Sequence, residues 1–230
     1  IECKHGKLVV PKDTHGLIKS LKETGKYQEH IIIWAQKYSK PNSVILDVGA
    51  NIGTFTVPFA KLHGASCQVF SFEPYEAAND LLEDNVELND LENVTILKKA
   101  LSDKDENKTM YTFPAGDIGA GTLHNPVKFK LESNTVETKT VECIRLDSLN
   151  LKNISFIKVD IQEHEFNFLL GAKNTLEQER SSIVLELPER NKKEREESKK
   201  CSKFLRKIGY HQKQRKGKDV LFLFGLSVSD

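Results

Sequence analysis

The segment from Ser43 to Gly53 constrains the fold of this chain more than any other. Val44, Ile45 and Leu46 run together without a polar interruption, and the run closes on Asp47-Val48. Gly49 and Gly53 follow, ahead of a helical pattern through Phe55, Pro58, Phe59 and Leu62. A strand apolar on both faces is buried on both faces, which is the condition of a central strand in a parallel sheet. Gly49 lets the backbone turn without a Cβ clash, and Gly53 lets helix and strand pack closely. The turn presents backbone N–H groups to a ligand at the start of a helix. One β-α unit with a ligand-binding corner is therefore expected here.

The same alternation recurs downstream. Gln68 to Phe72 reads as a strand, Tyr75 to Leu88 as a helix and Val94 to Lys98 as a strand. Asn107 to Phe113 and Thr135 to Ile144 alternate apolar with polar residues, which predicts antiparallel strands, with the Gly-rich loop Pro114 to Pro126 between them. Parallel character resumes with the strand Ile154 to Val159 and the helix Glu163 to Leu176. The strand Ile183 to Leu187 and the charged helix Lys193 to Ile208 come next. A hairpin, Tyr210 to Arg215 and Asp219 to Phe224, turns across Lys216-Gly217-Lys218 and closes the pattern. Helical spacing over Thr14 to Thr24 and Tyr27 to Ser39 marks residues 1–40 as a helical N-terminal extension of a core spanning 41–230, the whole forming one domain. The expected fold is α/β and Rossmann-like: a mostly parallel seven-stranded sheet, an antiparallel C-terminal hairpin and a small β insertion.

Composition narrows the classes of function. Lys plus Arg number 34 against 33 Asp plus Glu, so no global field recruits nucleic acid or an anionic membrane. No stretch approaches the ~18 apolar residues of a membrane helix. No basic-then-apolar leader opens the sequence, whose first residue is Ile. Cys3, Cys67, Cys143 and Cys201 form no CxxC pair, which points to reduced thiols, a cytoplasmic setting and no zinc site. The sequons at Asn93, Asn107 and Asn153 are what an Asn-rich chain produces by chance.

The chemistry gathers at strand ends. The turn is neither G-x-G-x-x-G nor a P-loop, which argues against pyrophosphate as the main ligand. Asp47 at the strand end suits a cationic group such as an amino-acid ammonium. Glu73 closes the second strand, 20 residues after Gly53, where an acid accepts hydrogen bonds from ribose hydroxyls.

Val44-Ile-Leu-Asp-Val-Gly-Ala-Asn-Ile-Gly-Thr-Phe-Thr56 resembles the signature of the FkbM family of methyltransferases. The resemblance continues through Phe72-Glu-Pro74, Lys99-Ala-Leu-Ser-Asp103, Arg145-Leu-Asp-Ser-Leu149 and Ile157-Lys-Val-Asp160, and it ends near Ile183-Val-Leu-Glu186. It implies a class I methyltransferase fold that uses S-adenosylmethionine, usually to methylate an oxygen of a sugar, polyketide or similar small molecule. It also implies that Asp47, Gly49, Asn51 and Gly53 cradle the methionine end, that Glu73 holds the ribose, and that Ser102 and Asp103 flank the adenine. One departure stands out. Where the family has a pattern similar to Asp-[Val/Ile]-Glu-Gly-x-Glu, this chain has Asp160-Ile-Gln162-Glu163-His164-Glu165. A side chain and a charge occupy the place of the family's glycine.

Methyl transfer to a hydroxyl requires alignment and removal of a proton. Asp160, at a parallel strand's carboxyl end, is the leading candidate for that role, and it could also cap the following helix. Glu165 is the second catalytic candidate, facing either the crevice or solvent. His164 reads as solvated, and His124 in the Gly-rich loop as a distant candidate base. Asp160, Glu165 and Glu186 together could bind Mg²⁺, but no spacing compels a metal. The expected partner is a small-molecule hydroxyl acceptor, with no membrane and with nucleic acid disfavoured. One rival is ribose 2′-O-methylation of RNA, supported by the basic tip Lys213, Arg215, Lys216, Lys218. It is weakened because Lys158 reads as strand interior rather than strand end. The other rival is a non-catalytic binding module that keeps the fold.

Overall fold

The computed structural model describes residues 1–12, 16–112, 121–123 and 136–225. A two-residue hairpin, β1 (Glu2–Cys3) with β2 (Gly6–Lys7), precedes helices α1 (Leu17–Thr24) and α2 (Glu29–Tyr38). Then follow β3 (Val44–Val48), α3 (Thr56–Leu62), β4 (Gln68–Phe72), α4 (Glu76–Leu88) and β5 (Val94–Leu97). The insertion comprises β6 (Ala100–Leu101), β7 (Glu106–Thr112) and β8 (Glu137–Ile144). The second half is β9 (Ile154–Val159), α5 (Glu165–Gly171), α6 (Lys173–Glu179), β10 (Ser182–Glu186), α7 (Lys192–Lys207), β11 (Tyr210–Lys216) and β12 (Asp219–Phe224).

Seven strands form the main sheet in the order β11-β12-β10-β9-β3-β4-β5. β10, β9, β3, β4 and β5 are parallel neighbours, and β12 runs antiparallel to both β10 and β11. Strand order reverses direction between β3 and β9, which makes their carboxyl ends the topological switch point where such sheets bind ligands. The alternating side chains of the strands bury two layers. Ile45, Val69, Phe156, Val184 and Leu221 pack on one face against Ile31, Ile32, Trp34 and Ala35 of α2 and Phe59 of α3. Leu46, Val48, Ile157, Val159 and Leu185 pack on the other against Phe168, Leu169, Leu176, Cys201 and Leu205 of α5 to α7.

Several expectations need correction. The short N-terminal hairpin had no periodicity to reveal it. The helix expected over Glu163 to Leu176 begins at Glu165 and breaks at Ala172, so α5 and α6 are separate. Gly53 does allow a close approach, but of α4 rather than the strand: a Cβ there would lie 2.8 Å from Leu82 Cδ1. The insertion is a sheet of its own, in which β8 pairs with β7 antiparallel and with β6 in parallel. His124 and most of the Pro114–Pro126 loop lie outside the described residues.

Candidate active site

A crevice partly open to solvent lies over the switch point. Its floor is Gly49, Ala50 and Asn51 after β3, and Glu73 and Pro74 after β4. Lys158, Asp160, Ile161 and Gln162 of β9 and its exit form the opposite wall. Lys99, Ala100, Leu101, Met110, Gly121 and Leu123 enclose one end from the small sheet, and Leu17 and Tyr27 enclose the other from the N-terminal segment.

The glycine turn is tight because the two halves of the crevice touch. Gly49 adopts φ +76°, and a Cβ there would lie 1.9 Å from the carbonyl oxygen of Asp160. The Asp160 N–H donates to Val48 O at 3.0 Å, carrying the β3–β9 pairing one residue past the strand. Asn51 has φ +49°, which turns its N–H onto Glu73 Oε2 at 2.9 Å, while Tyr75 N–H donates to Oε1 at 2.8 Å. Burial pushes the Glu73 carboxyl up to about 7, against the pull of those two amides and of Lys158. Glu73 lines the crevice, and each of its oxygens keeps acceptor capacity beyond its one amide, as paired hydroxyl donors require.

Asp47 is fully buried and does not reach the crevice wall. Its Oδ2 accepts from Thr56 Oγ1 at 2.7 Å, and Oδ1 pairs with Lys158 Nζ at 3.1 Å. Asp47 and Lys158 are direct cross-strand partners in the β3–β9 register. Lys158 also donates to Gly49 O at 2.7 Å, and its ammonium lies over the Phe55 ring, 5.0 Å from the centroid. Two expectations change accordingly. Asp47 does not present a free carboxylate to a cationic ligand, and Lys158 is a wall residue of the crevice rather than inert strand interior.

Asp160 is half-buried on the wall, and its Oδ1 accepts from Gln162 Nε2 at 3.3 Å. It caps no helix; the residue at the start of α5 is His164. Gln162 and Glu163 have φ +52° and +70°, two successive left-handed residues where L side chains cost about 1–2 kcal/mol each. That is the physical meaning of the family's glycine at this turn. Glu165 lines a separate, smaller pocket with Phe166, Glu186 and Cys201. Its Oε1 accepts from Ile161 N–H at 3.2 Å, and burial pushes its carboxyl up to about 7. It therefore braces the turn from behind and does not face the crevice. His164 is buried, not solvated: it lines the crevice and bonds to Ser102 Oγ at 2.9 Å.

Ser102 and Asp103 stand just behind the wall formed by Ala100 and Leu101. Asp103 is partly desolvated, yet hydrogen bonds from Asn167 and Ser102 and the nearby Lys108 hold its carboxyl down at about 2. Tyr27, missed in the sequence, stacks obliquely on Phe55. Burial first, then the charges of Asp160 and Asp219, push its hydroxyl up to about 12. Asp160, Glu165 and Glu186 do not converge, and no cluster able to hold a metal occurs among the described residues. None of the described helices is long and apolar enough to cross a membrane. At the basic hairpin tip, Arg215 pairs with Glu189 and Lys218 with Glu186, so half of that tip is stapled to neighbouring structure.

A mostly parallel seven-stranded sheet with a terminal antiparallel hairpin and a crevice at its switch point is the class I methyltransferase fold. The model of the methyltransferase FkbM domain matches residues 47–211, and the chain belongs to that family. The 2-O-methyltransferase NoeI of Sinorhizobium fredii is 29% identical over 151 residues, which are 60% of this chain and 60% of that relative. Among solved structures, methyltransferase FkbM from Methylobacillus flagellatus aligns with TM-score 0.53 at 12% identity, covering 84% of this chain and 50% of that one. A precorrin-6y C5,15-methyltransferase from Geobacter metallireducens aligns with TM-score 0.55 at 14% identity, covering 95% and 94%. Those two likenesses establish the fold.

Proposed function

We propose that the protein transfers a methyl group from S-adenosylmethionine to a hydroxyl oxygen of a small molecule such as a sugar or polyketide. The observation that carries this reading is Asp160, a carboxylate on the crevice wall directly across the switch point from the glycine turn. The cofactor supplies an activated methyl group on a sulfonium. The chain's contribution is to bind, align and deprotonate. Gly49 and Asn51 line the methionine end, with Gly53 setting the turn's packing against α4. Glu73 accepts from the ribose hydroxyls. Ala100, Leu101, Met110 and Leu123 offer an apolar slot for the adenine, with Ser102 and Asp103 as its outer support. Asp160 orients the acceptor hydroxyl and takes its proton. Tyr27 and Leu17 close the acceptor side against water.

Oxygen as the acceptor is supported by the relative named as a 2-O-methyltransferase. Ribose methylation of RNA is favoured by one observation, the presence of Lys158 on the crevice wall two residues before Asp160. Its ammonium, however, is turned to the glycine turn, donating to Gly49 O with Asp47 Oδ1 at 3.1 Å, and no ion pair joins it to Asp160 among the described residues. The test is transfer of radiolabelled methyl to a panel of sugars, polyketide alcohols and RNA. Label appearing only in RNA would select the ribose reading. Calorimetry showing no S-adenosylhomocysteine binding to folded protein would remove the enzyme reading altogether.

A further inference from the structure

Lys158 is a cation in a place that ordinarily excludes one. Its side chain is 3% exposed, in the middle of a strand otherwise made of Ile154, Ser155, Phe156, Ile157 and Val159. Burying an ammonium is costly unless every proton finds a partner. One proton is well placed, on Gly49 O at 2.7 Å; Asp47 Oδ1 lies at ion-pair distance, 3.1 Å, but accepts no hydrogen bond. The third contact, Val48 O at 3.5 Å, is at the limit of a hydrogen bond, and that carbonyl already accepts from Asp160 N–H. Asp47 is sealed beneath, with its other oxygen held by Thr56. The charge that reaches the crevice at the glycine turn is therefore the lysine's positive one, the reverse of what the sequence suggests.

On the cofactor reading above, we propose that Lys158 is the anchor for the carboxylate of the cofactor's methionine moiety. A carboxylate entering at the glycine turn replaces the weak third contact with a charge-assisted hydrogen bond. Asp47 then serves as a buried counter-ion that keeps the lysine aimed, rather than as the receptor of the ligand's ammonium. Phe55, under the ammonium, fixes its height in the wall.

The test compares S-adenosylhomocysteine with its decarboxylated analogue, which keeps the amine and lacks only the carboxylate, by calorimetry. Wild-type protein is expected to prefer S-adenosylhomocysteine by at least about 10-fold, as for a charge-assisted bond in a desolvated site. Lys158→Met should bring the two ligands within about twofold of each other, with the decarboxylated analogue bound as before. Asp47→Asn, which frees the ammonium, should widen the preference. Should Lys158→Met not fold, the double variant Asp47→Asn/Lys158→Met removes both buried charges together, and it too should lose the preference. Equal binding of the two ligands by wild type, or a preference that survives loss of the lysine, would overturn this assignment while leaving the cofactor reading intact. Failure of both ligands to bind folded wild-type protein would overturn both.

Discussion

The two walls of the crevice are built on different terms. The wall after β3 and β4 is held by backbone: Asn51 and Tyr75 amides grip Glu73, and Gly49 adopts a conformation natural to glycine. The wall after β9 is held by side chains in a backbone they resist, with Gln162 and Glu163 both left-handed and Glu165 braced beneath. On the proposed function, the ribose and the glycine turn's amides fall on the relaxed wall and the acceptor's proton on the strained one, with Lys158 of β9 reaching across to the cofactor side. The amides of the first wall are generic, whereas the turn that follows Asp160 on the second carries this chain's own departure, Gln162-Glu163.

The comparison is broken most sharply by Asp160→Asn. Removal of a general base should lower turnover by about 10²–10⁴-fold. Cofactor affinity, measured by calorimetry, should hardly move. If affinity and turnover fall together, the two walls do not divide the work. Gly49→Ala should act on both walls at once, since its methyl would enter the Asp160 carbonyl and its φ is left-handed. About 2–4 kcal/mol of stability should be lost, read from denaturant unfolding.

Glu165 sharpens the strained side. Its native carboxyl lies near 7, above the ordinary 4.5, so the folded state binds its proton more tightly than the unfolded state. Stability from this group is greatest below about pH 4.5 and declines as pH rises to about 7. Glu165→Gln should therefore add about 2–3 kcal/mol at pH 8 and nothing at pH 4. Cofactor affinity should be unaffected, and a large loss of it would put Glu165 back in the crevice.

Glu73 gives the same logic on the relaxed side, read through a ligand. Ribose hydroxyls favour the ionised carboxylate, so S-adenosylhomocysteine should bind more tightly as pH rises from 6 to 8, through the raised value near 7. Glu73→Gln should flatten that profile and cost about 1–3 kcal/mol of affinity. The smallest effect belongs to Glu163→Gly. Relief of the left-handed residue should stabilise by about 1 kcal/mol, less whatever the exposed pair with Lys193 contributes. A loss of stability on thermal melting would show that the turn is not strained there.

The relaxed wall was the legible one. Gly49, Asn51 and Glu73 sit within two consecutive β-α units, so their spacing along the chain is nearly their spacing in space. Lys158 was misread because its partner, Asp47, is remote in sequence and meets it only through the β3–β9 register. His164 and Glu165 look like a polar helix start, and only the packing of α5 against β6 and α7 buries them. Tyr27 carries no motif at all. Its place follows from how α2 seats Ile31, Ile32 and Trp34 on the sheet.

That last point bears on what kinship can transmit. The matched family segment begins at residue 47, whereas Leu17 and Tyr27 complete the crevice from outside it. A fragment trimmed to the matched residues would keep the glycine turn, Glu73, Lys158 and Asp160. It would also uncover Phe156 and Val184, which α2 covers, lose β12 altogether, and open the end of the crevice that Leu17 and Tyr27 enclose. Two chains can thus share the whole inherited signature and still differ at that end of the crevice, because it is enclosed by a stretch that the signature does not govern.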